Sequence, residues 1–105
     1  MYSVTGQWLI PVGICIVLSG CPTAQPVDDY TLARTAIQAA KDVDSARYAP
    51  SYWHRAEDAY RKGEVHFKDQ DYEEAQAEFI QAREYAERAE NVARVQKYKS
   101  GEVEP

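Results

Sequence analysis

The chain has 105 residues, 28% of them charged, and a net charge of −5 at neutral pH. That length holds one small domain, and the acidic balance excludes nucleic acid as a partner, because phosphates require a basic face. His54 and His66 stand twelve residues apart and both cysteines, Cys15 and Cys21, lie in the N-terminal apolar region, so neither a clustered metal site nor a disulfide framework is expected.

The first segment is apolar from Trp8 to Leu18, about 11 residues. A helix needs roughly 20 to cross a bilayer, so the run has the length of a signal-peptide core instead. Pro11 and Gly13 fit a transient segment better than a permanent helix. Small residues, Ser19 and Gly20, follow it. The leading "MYSVTGQ" carries no Lys or Arg and so departs from the usual positive n-region. Either the start codon is misassigned or the terminal amine alone orients the segment.

Leu18-Ser19-Gly20-Cys21 resembles the lipobox of bacterial lipoproteins at all four positions. The resemblance implies diacylglycerol on the Cys21 thiol, cleavage between Gly20 and Cys21, and acylation of the new amine. Residues 1–20 would then be a signal peptide, and Cys15 would leave with it. Acyl chains on Cys21 would be the membrane contact, and stable anchoring takes more than one chain. The location this implies is the bacterial cell envelope, at the outer membrane facing the periplasm. An uncleaved anchor helix and a plain secretory signal are the other readings of the same residues.

Residues 21–28 comprise that cysteine and a tether with two prolines and no apolar period. The eight residues Pro22 to Asp29 reach at most roughly 26 Å, which would hold the folded part close to the bilayer. From Asp29 the chain is Ala-rich and periodic, and the expected fold is all-α, a three-helix antiparallel bundle over 29–99. The first helix is predicted over 29–48, capped by Asp28 or Asp29, with Leu32, Ala36, Ala39, Val43 and Ala46 inward and Ala33, Ile37 and Ala40 widening that face. Pro50 ends it and suits the first turn of a second helix, 50–68. Its predicted inner face is Tyr52, Ala56, Ala59, Tyr60, Gly63 and Phe67, with Gly63 marking either a close crossing or a bend. "KDQDY" is the next turn, with Asp71 as cap and Glu74 at capping-box spacing. The third helix, 72–98, carries a seam of Tyr72, Ala75, Phe79, Ala82, Ala86, Ala89 and Ala93 in a 3,4 rhythm. Residues 100–105 read as a frayed tail.

The third helix is the longest, so its far part needs cover from the first helix, a second copy or solvent. Tyr85, Val92, Val95 and Tyr98 form a second, partly apolar strip there, the candidate partner surface. The second and third helices resemble a tetratricopeptide-type unit through Gly63, Asp71-Tyr72, Ala75, Phe79 and Ala82, with Glu87 where the closing proline of that pattern falls. A wider resemblance, through Ala46 to Pro50, Ala56, Ala59, Gly63, Tyr72, Ala75, Ala82, Ala86 and Ala89, is to short Ala-rich helical domains of unknown function. These occur in bacterial envelope lipoproteins, sometimes ahead of an OmpA-like domain.

No Gly-rich phosphate loop, hydrolase serine motif or mature cysteine nucleophile is present in the sequence. His54 with Asp58, and His66 with Gln70, are surface pairs of common spacing. Glu73, Glu74, Glu78, Glu84, Glu87 and Glu90 read as a solvated face beside Arg83, Arg88 and Arg94. The expectation is therefore no enzyme, no cofactor and no metal. It is a lipid-anchored interaction or scaffold module with an envelope protein partner, or alternatively a structural subunit of a larger envelope complex docking through the third helix. A homo-oligomer is a further candidate state.

Overall fold

The computed structural model describes residues 25–101, and among them every regular element is helical. The elements are α1 (Val27–Asp42), α2 (Ser45–Tyr48), α3 (Pro50–Lys68) and α4 (Tyr72–Ser100). The expected all-α bundle is present, with the predicted third helix as α4. The signal-peptide assignment and the tether as far as residue 24 lie outside the described residues; at its other end the expected tether, 21–28, is too long, because Val27 and Asp28 already belong to the first turn of α1.

α3 and α4 form an antiparallel hairpin, and α1 runs parallel to α4. Two exposed hydrogen bonds accompany that parallel register near the start of α4: Gln25 Nε2 donates to the Tyr72 hydroxyl (3.3 Å) and Gln76 Nε2 to Asp29 Oδ2 (2.9 Å). α4 is the common wall. Its Ala75, Phe79, Ala82, Ala86, Ala89 and Ala93 are all fully buried, as the seam predicts. Among the described residues the buried hydrophobic side chains are eleven alanines, Trp53 and Phe79. Alanines bury little area each. They compensate by letting backbones come close, so that dispersion contacts are made with backbone atoms as well as side chains.

Gly63 is where the approach is closest. A Cβ built there would sit 2.7 Å from Cδ1 and Cε1 of Phe79. Of the two readings the sequence allows, the close crossing is the one realised. The predicted face of α3 holds, with one residue missing from it: Trp53 is buried beside Ala49, Ala56, Ala86, Ala89 and Ala93, while Tyr52 lies partly exposed at the edge.

The first helix differs most from expectation. The continuous 29–48 helix is two helices, separated at Val43-Asp44. Asp44 takes a left-handed conformation (φ 62°, ψ 42°), which Asp tolerates better than most residues. Its carbonyl accepts from the N–H groups of Arg47 and Tyr48 and so starts α2. The N-cap of α1 is Pro26, and Asp28 and Asp29 occupy the first turn, near the positive end of the helix dipole. The buried face is Ala33, Ala36 and Ala40, flanked by Tyr30 and Ile37. Leu32 and Ala46 point outward. Ala36 is buried as expected, but the centre of the face shifts from Leu32 and Ala39 to the residues expected only to widen it, Ala33, Ile37 and Ala40, because alanines on both sides give no size contrast to choose between them.

The α3–α4 turn closes on itself. The Asp71 N–H donates to the His66 carbonyl (2.8 Å) and the Gln70 N–H to that of Phe67 (3.1 Å), the paired pattern of a Schellman ending. Gln70 holds the left-handed position at φ 63°, where glycine is usual. Asp71 is the N-cap of α4 by position, but its side chain makes no capping hydrogen bond and no capping box forms with Glu74. Its Oδ2 faces His66 Nδ1 at 3.7 Å instead.

Two glycine exchanges test these constraints in opposite directions. Gly63→Ala gains about 1 kcal/mol of helix propensity but loses about 1–3 kcal/mol to overpacking against Phe79. The expected net is a loss of up to about 2 kcal/mol, read from urea unfolding, and it is smaller when Phe79→Leu is already present. Gln70→Gly removes a left-handed side chain and is expected to raise stability by about 0.5–1 kcal/mol on the same assay.

Candidate interaction surfaces

The bundle has two distinct ends. At the end where the described chain enters, α1 begins, α3 finishes and α4 begins. Aromatic side chains converge there. Tyr30 stacks on Tyr60 (centroids 5.9 Å apart) and meets the edge of Phe79 at 5.3 Å, and Phe67 meets Tyr72 at 5.6 Å. Offset and edge contacts of this kind add about 0.5–1.5 kcal/mol each beyond their buried area. Tyr30 is the hub of this cluster and was not among the residues expected in the core. Its spacing to Ala33, Ile37 and Ala40 was the available signal.

The cluster leaves a half-open apolar recess of about 180 Å³, lined by Val27, Tyr30, Glu64, Phe67, Lys68 and Phe79. Burial, then hydrogen bonding with Tyr30 and the charges of Tyr30 and Glu64, hold the Tyr60 phenol above the usual tyrosine range, with Arg34 acting against them.

The candidate strip lies toward the other end and divides in two. Tyr85 and Val92 are half-buried against the core cluster around Trp53, with the Arg55 guanidinium 5.8 Å from the Tyr85 ring centroid. Val95 and Tyr98 are exposed, at 51% and 76%. The reason is length. α4 has 29 residues and α3 has 19, so the last two turns of α4 continue past the start of α3 near Pro50. α2 covers one flank, where Lys97 Nζ lies 5.8 Å from the Tyr48 ring centroid. The opposite flank carries a shallow depression lined by Asn91, Val92, Val95 and Gln96.

The remaining singled-out residues are dispersed. His54 Nδ1 lies 4.0 Å from Glu57, and His66 pairs with Asp71 rather than Gln70. Asp58 pairs with Lys62 (3.0 Å), Glu87 with Arg83 (3.9 Å) and Glu90 with Arg94 (2.7 Å). Such exposed pairs contribute about 0–1 kcal/mol each. No group of three or more metal-ligating side chains occurs among the described residues. No helix among them is long and apolar enough to cross a membrane. Gly20 and Cys21 lie outside the described residues.

Residues 28–101 match a family described as a domain of unknown function, DUF4398, and the chain belongs to that family. The match begins in the first turn of α1 and ends just past α4, so it covers all four helices. No curated protein and no solved structure matches the chain.

The raised Tyr60 titration carries a sign. The folded phenol keeps its proton at a pH where the unfolded one, near 10, gives it up. The unfolded state therefore binds fewer protons there, and stability falls as pH rises. The contribution is complete below about pH 10 and is lost above it. Melting temperatures measured from pH 8 to pH 11.5 are expected to fall more steeply above pH 10 in the native chain than in Tyr60→Phe.

Proposed function

We propose that this DUF4398 protein is a lipid-anchored bacterial envelope protein, held at the outer membrane facing the periplasm, that works as a small helical interaction or scaffold module. The observation that carries the reading is the opposition of its two ends. The lipobox-like Leu18-Ser19-Gly20-Cys21 stops four residues short of Gln25, which is bonded to Tyr72 at the start of α4. The exposed Val95 and Tyr98 lie near the other end of a helix roughly 43 Å long. A chain anchored at Cys21 therefore holds out its uncovered apolar turns on the side away from the bilayer, where a partner can meet them.

The α3–α4 hairpin supports an interaction role of the tetratricopeptide type. Gly63 fits against Phe79 as the small position of one helix fits the large position of the next. A single such unit forms no superhelical groove, since stacked repeats are needed for that, so contact falls to the end of α4. The depression beside Val92 and Val95 favours a second reading, a structural subunit of a larger envelope complex seated on α4.

Two measurements test the proposal together. Mass spectrometry of the protein from native membranes is expected to give a chain starting at Cys21 and carrying acyl mass; an intact Met1 start or an unmodified Cys21 refutes the anchor. A photoreactive residue at position 98 is expected to give a discrete adduct in intact envelopes, while one at Leu32, also exposed but near the start of α1, gives none. Equal behaviour at the two positions refutes the docking role of α4, and an adduct with a second copy identifies the partner as the protein itself.

A further inference from the structure

The recess at the aromatic end has no part in the docking role assigned to the far end of α4. Its lining is Val27, Tyr30, Phe67 and Phe79 together with Glu64 and Lys68. At about 180 Å³ it is somewhat larger than an apolar cavity of about 150 Å³ that stays dry and takes up benzene. Val27 is the unusual residue. It sits in the first turn of α1 next to Asp28 and Asp29, and it is 52% exposed. A polar side chain would serve the helix start as well there; a valine supplies one apolar lip to the recess.

Position supplies the occupant. Val27 is six residues after Cys21, a distance of at most roughly 21 Å along the chain. The hydrogen bond from Gln25 to Tyr72 keeps the entering chain at this end of the bundle. We propose that the recess is a binding site for an alkyl chain and that its occupant is an acyl chain carried by Cys21 of the same molecule. The inference rests on the acylation of Cys21 proposed above.

In water an acyl chain exposes methylene surface that the recess can cover. Covalent attachment makes the capture intramolecular, with an effective concentration on the order of millimolar for a short tether. In a bilayer the same methylenes are already buried, so capture gains nothing. The recess is therefore filled while the protein is out of the membrane and emptied when the chain enters lipid. The cavity takes only part of a long chain, and the remainder stays at the mouth between Val27 and Phe67.

The test attaches the alkyl group chemically. The chain beginning at Cys21 contains every residue of the bundle and one thiol. It is modified with N-decylmaleimide or N-ethylmaleimide and studied without detergent at submicromolar concentration, with sedimentation confirming a monomer. Amide hydrogen exchange over residues 27–33 and 64–68 is expected to slow tenfold or more in the decyl form relative to the ethyl form. Added phosphatidylcholine vesicles are expected to return it to the ethyl rate. Val27→Asp, an exchange at an exposed first-turn position, is expected to abolish the protection while leaving α4 exchange unchanged. Equal exchange in the decyl and ethyl forms overturns the inference, and so does protection that survives Val27→Asp. Because the alkyl chain is added in vitro, this outcome is separate from whether cells acylate Cys21, which the mass of the native chain decides.

Discussion

Phe79 is the one large side chain of the α4 seam that is fully buried, and the bundle is arranged around the space it needs. On one side Gly63 gives way completely, so that the ring lies against the α3 backbone at a distance no Cβ would permit. On the other side Tyr30 meets the ring edge-on and Tyr60 closes over it. These contacts hold α1, α3 and α4 together at the entry end of the bundle. Elsewhere the same three helices meet through alanines, which set spacing but provide little shape to hold register. Register comes from Phe79 at one end and Trp53 toward the other, each enclosed by small residues.

A core of this composition has consequences for the surface. Among the described residues eleven of the thirteen buried hydrophobic side chains are alanines, so the larger ones are mostly at edges, half-covered. Tyr52, Tyr85 and Val92 flank the Trp53 cluster, and Tyr30, Tyr60 and Phe67 flank Phe79. Side chains in that situation shape recesses and strips instead of filling an interior. Both candidate surfaces arise in this way, one as the gap left beside the aromatic cluster, the other as the length by which α4 outruns its neighbours.

The two surfaces sit at opposite ends because α1 runs parallel to α4. The Gln25–Tyr72 and Gln76–Asp29 hydrogen bonds join the two helices at the entry end, and the break at Asp44 returns the chain over the far end before α3 begins. The one-turn α2 that results covers a single flank of the α4 extension. The other flank, with Val95, Tyr98 and the depression beside Asn91, is what a partner helix or segment would find open.

The seam of α4, the start of α3 at Pro50 and the special position of Gly63, though not whether it is a close crossing or a bend, are legible in the sequence alone, because each is written in contrast. A Phe repeats in step with alanines among charges, a proline stands at a helix boundary, and a glycine sits in mid-helix. The lipobox-like motif and the apolar run before it are equally plain as pattern. What the sequence does not decide is rotation and reach. Between two adjacent alanine faces of α1 no residue breaks the tie, and Leu32, the most hydrophobic choice, turns outward once Tyr30 claims the space beside Phe79. The split at Asp44 has no glycine or proline to announce it. The strip from Tyr85 to Tyr98 reads as one surface in sequence, yet α3 covers its first half and stops short of its second. Burial there depends on where a neighbouring helix ends, and only the packed structure fixes that.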